Sequence, residues 1–433
     1  MKILSMPPNT LVPRAAAWAA LACGGALMAF TGAAQAEDTP LSLTLSQNLR
    51  SDSNLLRSTN AQSDTVSTTA VQGNFNKAYG RQVYKASARF GRIRYDRFGS
   101  QLDNDAKDLN ASVSSEFASN WLASLNASDA TSLNAPQDNP INNRLLRNIR
   151  HYKDVGATLQ YGNGGTWALV GSYDHNRLNY SGDFFQFQNA DQNSQGLRLV
   201  YNATDLLNFG VGPRYVRTRY PNNSAVSEAK DTNLDFTVNW QVSGLSNLNA
   251  LMSWRDSKQT SVSNRKGNAV TGSLGWNYTP RGIVSYGVNL TRATNADRFQ
   301  NVQDFTFFGN NLRSVQNVAL DTITTSLSMS ATAQLTGKVS TGLSYGLTRY
   351  ELNNTSGRSL TNVELVDQLT GNNAASTSSS SRLQSIGWSV NYAAYRWLGL
   401  NCALQFYNQS ADLNRPKYSG HVIDCGASVT LDP

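Results

Sequence analysis

The sequence predicts an all-β protein, a transmembrane antiparallel up-and-down β-barrel of about 18 strands, with about 16 as the alternative count. Three observations carry that expectation. Apolar and polar residues alternate with period two: Val270, Gly272, Leu274, Trp276 and Tyr278 share one face, and Thr271, Ser273, Gly275 and Asn277 the other. The alternating segments match or exceed the roughly 9–11 residues that a tilted strand needs to cross a bilayer. Tight turns and longer loops also take turns between them, as in an outer-membrane barrel with turns in the periplasm and loops outside. A soluble sandwich or propeller explains strands but not this two-ended asymmetry.

Residues 1–36 read as a cleaved export signal. Lys2 and Arg14 supply the positive region, Ala15 to Thr31 the apolar stretch, and Ala34-Gln35-Ala36 the cleavage site before Glu37. Cys23 invites a lipoprotein reading, but apolar sequence runs past it and Ala20 is a poor lipobox residue, so the A-x-A site is preferred. Residues 37–433 then form one barrel domain, with no linker, heptad run or periplasmic helix pattern. No later stretch reaches the roughly 18 apolar residues of a membrane helix.

In chain order the strands are expected near 41–52, 65–77, 81–95, 105–118, 121–131, 149–162, 166–178, 192–203, 207–220, 230–242, 247–258, 266–278, 282–294, 318–335, 338–352, 382–395, 397–409 and 418–431. Those near 65–77 and 105–118 are the weakest, being poor in large apolar residues. Ala78-Tyr79-Gly80, Ser119-Asn120, Asn163-Gly164-Gly165, Asp205, Gly244-Leu245, Thr279-Pro280-Arg281, Gly337 and Arg396 mark the tight turns. Long loops are expected at 132–148, 179–191, 295–317 and 353–381. The even strand count puts both termini in the periplasm.

The last strand resembles an insertion signal, the terminal segment that the barrel insertion machinery reads before it closes against the first strand. Asp424, Gly426, Val429 and Leu431 hold the required positions, although Leu431-Asp432-Pro433 replaces the usual final aromatic residue. Cys402 and Cys425 remain after the leader is removed. An even count in an exported chain favours a disulfide across the hairpin that joins them; two apolar free thiols are the alternative.

Nothing points to catalysis. His151, His175 and His421 are scattered without metal-ligand spacing, and no cofactor is implied. Gly342-Leu343-Ser344-Tyr345-Gly346 matches G-x-S-x-G, but within an alternating strand rather than a strand-to-helix elbow. The formal charge of +8 falls by two with the leader, a mild balance that does not call for nucleic acid. Parity is more informative. Lys85, Arg89, Arg198, Arg214 and Arg255 point inward, against Glu116, Asp154, Asp174 and Asp235, with Ser, Thr, Asn, Gln and Gly between them. Two readings stay open. The charges are solvated or locally paired, as Lys85 and Glu116 across adjacent strands would be, or they line a mildly cationic conduit for hydrated chains.

The outward register turns basic near the extracellular strand ends. Arg92, Arg94, Arg177, Arg217, Arg219, Lys258, Arg292 and Arg349 follow apolar sets, and Lys153, Lys266 and Arg382 precede them. Such cations match the phosphates of lipopolysaccharide in the outer leaflet; side chains merely snorkelling at strand ends are the alternative.

Asp52-Ser53-Asn54-Leu55-Leu56-Arg57, Ser63-Asp64, and Tyr79-Gly80-Arg81-Gln82 leading into Tyr84-Lys85-Ala86 resemble the EpsL-type outer-membrane barrels of exopolysaccharide-biosynthesis operons. The likeness extends over most of residues 37–433, through motifs that are short and moderately specific. It implies a barrel that passes polysaccharide across the outer membrane, with a periplasmic polysaccharide export protein and an inner-membrane copolymerase as partners. It brings no catalytic residues. The other functions that fit are a general or solute-specific diffusion porin and a structural or adhesive barrel.

Overall fold

A computed structural model of the chain describes residues 40–136, 144–223, 226–261, 265–307, 310–361, 375–411 and 416–431. The proposed leader and Asp432-Pro433 lie outside the described residues. Eighteen strands follow one another: β1 (Leu41–Asp52), β2 (Asp64–Tyr79), β3 (Gln82–Tyr95), β4 (Asn104–Phe117), β5 (Trp121–Leu133), β6 (Ile149–Tyr161), β7 (Trp167–Tyr180), β8 (Ala190–Thr204), β9 (Leu207–Arg219), β10 (Val226–Ser243), β11 (Ser246–Ser261), β12 (Arg265–Tyr278), β13 (Val284–Phe307), β14 (Asn310–Gln334), β15 (Val339–Thr361), β16 (Ala375–Tyr395), β17 (Leu398–Gln409) and β18 (Tyr418–Leu431). Each pairs antiparallel with its sequence neighbours. β18 pairs with β1 from Leu43↔Leu431 to Asp52↔Val422, so one 18-stranded sheet closes on itself.

Closure gives every strand two neighbours and leaves no free edge strand, the condition for a β-structure in a bilayer. The alternation then decides what the lipid meets. Leu43, Leu45, Leu125, Leu169, Phe236, Leu343 and Ile386 all keep large exposed surfaces, and Trp254 keeps 60% of its own. In water so continuous an apolar exterior would aggregate; against acyl chains it is solvated. At the turn end the outward side chains become aromatic. Trp121 and Tyr161 lie 4.9 Å apart between ring centres, Trp167 and Tyr201 4.7 Å, and Tyr395 and Trp397 5.4 Å, while Trp276, Tyr278 and Tyr286 stack in series. This is the interfacial belt of a membrane barrel. The chain is therefore a transmembrane barrel of the outer-membrane type.

The long loops expected at 295–317 and 353–381 are largely strand. β13 continues to Phe307 and β14 starts at Asn310, while β15 runs to Thr361 and β16 starts at Ala375. Polar residues there have no bilayer to exclude them. The antiparallel ladder simply continues beyond the apolar belt, where period-two hydrophobicity no longer reports it. Helix is confined to short pieces in outer connections, the longer ones among the described residues being Gly99–Leu102 and the 3-10 segment Asp183–Gln188.

Candidate functional site

The inward face is largely polar, but its two sides differ. From β12 to β16 the wall is made of small neutral groups: Thr271, Ser273 and Asn277, then Gly287, Asn289 and Thr291, then Ser326, Ser328, Ser330 and Thr332, then Ser340, Gly342, Ser344, Gly346 and Thr348, and finally Ser385, Gly387, Ser389 and Asn391. The register explains its flatness, because serines face glycines across strands. Gly287 stands opposite Ser330, Gly342 opposite Ser389, Gly346 opposite Ser385 and Gly387 opposite Ser344. A Cβ added to these glycines would come within 2.8, 2.9, 2.7 and 2.6 Å of the facing Oγ atoms. Each glycine thus makes the space over which its partner's hydroxyl lies. Ser344, the serine of G-x-S-x-G, is one of these hydroxyls in mid-strand, and no elbow presents it.

The inward charges collect on the other side. Arg214 donates from Nε and Nη2 to Asp235 at 2.6 and 3.2 Å, and Ser253 Oγ donates to the same carboxylate at 2.6 Å. Arg255 pairs with Asp231 at 2.8 Å and donates to Thr294 Oγ1 at 2.9 Å. Arg198 crosses Gly210, whose absent side chain leaves room for its Cδ and Cγ. Three arginines and two aspartates from β8 to β11 thus gather in one region, with Arg214 and Arg255 each paired to an aspartate and Arg198 near Asp235 without a direct bond. Asp231 and Ser253 were missed by parity reading from residue 230 onward. The signal was there, in odd-numbered polar residues alternating with Leu234 and Phe236.

The remaining inward residues fall elsewhere. Arg89 is exposed to the lumen opposite Asp108. The expected Lys85–Glu116 pair does not form: the register sets Lys85 against Ser112, and the Glu116 carboxylate instead accepts from Asn163 Nδ2 at 3.3 Å. Parity is legible in the residue order but relative height is not, and four residues of offset separate those charges. Asp154 is fully buried and accepts from Asn126 Nδ2 at 3.3 Å.

At the extracellular mouth the segment from Asp52 to Arg57 forms a buried lock. Beyond β1 the chain turns back inside the barrel. Arg57, in the left-handed region at φ 52°, donates through Nη1 to Asp52 Oδ1 at 2.8 Å and to the Tyr407 hydroxyl at 2.6 Å, with its guanidinium 3.9 Å above that ring. Tyr407 donates to Asp52 Oδ1 at 3.0 Å, while Asn54 Nδ2 donates to the Ser58 and Ser419 carbonyls at 2.8 and 3.2 Å. All four side chains are buried. Burial works against the Arg57 charge, but the hydrogen bond to Asp52 and its negative charge outweigh this and hold the guanidinium above its ordinary range. Asp64 secures the next connection, accepting from Thr65 N and Arg97 N at 2.7 and 2.8 Å and from Phe98 N at 3.2 Å. Between these anchors Leu55, Leu56, Val66, Phe98 and Leu102 form a small apolar core, joined by Ile93, Tyr95, Leu133 and Leu145. Segments 53–63 and 96–103 are thereby fastened over the β1–β5 side of the mouth.

On the closing strand, Asp424 accepts from Asn48 Nδ2 at 2.5 Å, and Thr44 bonds Thr430 at 3.0 Å. Gly426 leaves room for Asn401 and Asn48, while Val429 and Leu431 take the outward positions opposite Leu45 and Leu43. Cys402 and Cys425 stand directly opposite each other with Cα atoms 4.1 Å apart and form a disulfide. It bridges β17 and β18 on the lipid-facing side.

The outward cations at the extracellular end are less uniform than their sequence suggests. Arg94 pairs with Asp103 at 3.5 Å, Arg177 with Asp191 at 3.2 Å, Arg349 with Glu351 at 3.1 Å and Arg217 with Glu228, and Lys153 lies 3.9 Å from Asp129. Arg92 faces Asp105 in the register and Arg292 donates to Thr325 Oγ1 at 3.3 Å. Arg219 stands opposite Glu228. Lys258 stands opposite Lys266, whose side chain lies outside the described residues, and Arg382 stands opposite Arg349.

No family model and no curated protein matches the chain. Solved structures similar in shape include the FrpB iron transporter from Neisseria meningitidis, 9% identical over 91% of this chain and 82% of that one, with a TM-score of 0.44. OccAB3 of Acinetobacter baumannii is 10% identical over 90% of this chain and 98% of that one, with a TM-score of 0.43. The copper transporter OprC is 9% identical over 90% and 80%, with a TM-score of 0.40.

Proposed function

We propose that this barrel is an outer-membrane conduit whose cargo is an extracellular polysaccharide. On this reading a periplasmic polysaccharide export protein delivers the chain from an inner-membrane copolymerase, and the insertion machinery reads β18 during assembly. The observation that carries the reading is the neutral wall from β12 to β16. It offers closely spaced hydroxyl and amide groups along the axis, with neither charge nor bulk to arrest a hydrated polymer. Many weak, equivalent hydrogen bonds suit a chain that must slide, since passage requires binding sites that release as readily as they hold. The resemblance of Asp52 to Arg57 to the EpsL-type motif points the same way.

A diffusion porin is the second reading, and the charged cluster of Arg198, Arg214 and Arg255 favours it. With three arginines against two aspartates, the cluster keeps an excess positive charge on one side of the lumen, a bias of the kind that favours small anions. Reconstitution of the purified barrel in planar bilayers separates the two. The conduit reading expects a soluble linear glycan, added at the turn side, to interrupt the ionic current in discrete events. A current that ignores the glycan while showing strong ion selectivity supports the porin.

A further inference from the structure

The outward cations do not form an even ring. Arg217 stands opposite Lys230, Lys230 opposite Lys258, and Lys258 opposite Lys266, on four adjacent strands. One cross-strand row at the extracellular end of β9 to β12 therefore consists of four basic residues. Side chains directly opposite one another lie about 5 Å apart at Cβ, and like charges so placed destabilise the sheet. The acids nearby relieve this only in part. Glu228 accepts from Arg217 and lies 3.9 Å from Lys230, Asp191 is engaged by Arg177, and Asp256 sits two residues from Lys258 on the same face. Lys258 is exposed and has no ion-pair partner among the described residues.

The surface below the row completes the pattern. Towards the bilayer, the same outward register carries Tyr215, Leu234, Trp254 and Val270, all strongly exposed. A row of cations above an apolar wall matches an amphiphile with phosphates at its head and several acyl chains beneath. A protein anion would find no such wall to bury against, and an inorganic ion would not need one.

We infer that the Arg217–Lys230–Lys258 row binds the phosphates of one diphosphorylated glycolipid of the outer leaflet, of the lipid A type, with its acyl chains laid against Tyr215 and Trp254. The phosphates supply the countercharge the row lacks, through charge-assisted hydrogen bonds from lysine and arginine. This makes one face of the barrel the lipid-holding face and sets its depth there. The inference is independent of the cargo.

The test titrates bisphosphorylated lipid A into the full-length barrel in neutral detergent and counts bound lipid by native mass spectrometry. Replacing Lys230 and Lys258 together with glutamine is expected to weaken the first binding step at least tenfold. The Lys230→Arg, Lys258→Arg pair retains it, and heat-modifiable electrophoretic mobility confirms that both variants are folded. Lipid A without phosphates is expected to bind the wild type as weakly as intact lipid A binds the glutamine pair. Unchanged affinity in the glutamine pair overturns the inference. So does equal binding of the phosphate-free lipid, since acyl contact alone would then explain it.

Discussion

Replacing Arg57 with alanine is expected to release the first outer connection, residues 53–63, from the mouth of the barrel. The guanidinium keeps 7% of its side-chain surface and its partner Asp52 none. Removing one member of a buried pair costs about 3–5 kcal/mol when the remaining charge is left with no counterion. Asp52 retains bonds from Asn54 N and the Tyr407 hydroxyl and its ion pair with Arg50 Nη2 at 3.1 Å. Arg50 is about a third exposed and neutralises it less well than the buried Arg57, so the expected cost lies at or below the lower end of that range. The cost falls on local opening, since the ladders of β1 and β2 do not depend on Arg57. Amide exchange at residues 53–63 is expected to accelerate about tenfold to a hundredfold, as an opening cost of about 1.4–3 kcal/mol implies. Lysine at the same position keeps a charge but not the planar group over Tyr407, and is expected to restore only part of the protection. Unaltered exchange in the alanine variant would show that the apolar core of Leu55, Leu56, Phe98 and Leu102 holds the connection unaided.

The second large effect concerns assembly. A Cβ on Gly212 would collide with the Leu197 carbonyl oxygen and crowd Arg198 Cα, both of them main-chain atoms that no rotamer change moves aside. Pro213 follows and has no N–H to give the ladder, and the pairing of β8 with β9 passes from Gly196↔Arg214 to Leu199↔Val211. Gly212→Val is therefore expected to lower the yield of folded barrel about tenfold, since overpacking against fixed backbone exceeds the usual ~1–3 kcal/mol of a crowded core. Gly91→Ala is the control. Its methyl would meet Ala70 and Ala106 Cβ atoms at 3.7 and 3.9 Å, ordinary contact, and the barrel is expected to form normally. Equal yields of the two variants would contradict the account of why glycine stands at 212.

Much of this architecture was legible from residue order. Within the belt, lipid demands an apolar residue at every second position, so strands such as Arg265–Tyr278 and Tyr418–Leu431 announce both their span and their inward face. The pairing of Cys402 with Cys425 followed from the same parity and a short hairpin. Legibility fails where that demand stops. Beyond the belt β13 to β16 extend through polar sequence that reads as loop. Relative height is also silent in a single strand, which is why Lys85 and Glu116 were expected to meet and do not. The lock at the mouth was invisible for another reason. Asp52 and Arg57 are close in sequence, but Tyr407, which completes their site, arrives 350 residues later through closure of the barrel. No pattern local to either segment points to the other. The neutral wall, by contrast, was legible in the inward Ser, Thr, Asn and Gly, and needed only the register to show serines facing glycines.

The claim that this barrel carries polysaccharide outward is tested most directly in cells lacking it. Deleting the coding sequence while leaving its neighbours intact is expected to abolish surface and secreted glycan, while the lipid-linked precursor continues to be made in the inner membrane. Re-expression of the wild-type chain restores secretion. Undiminished secreted glycan in the deletion strain would contradict the export role and leave the diffusion porin as the function of the fold.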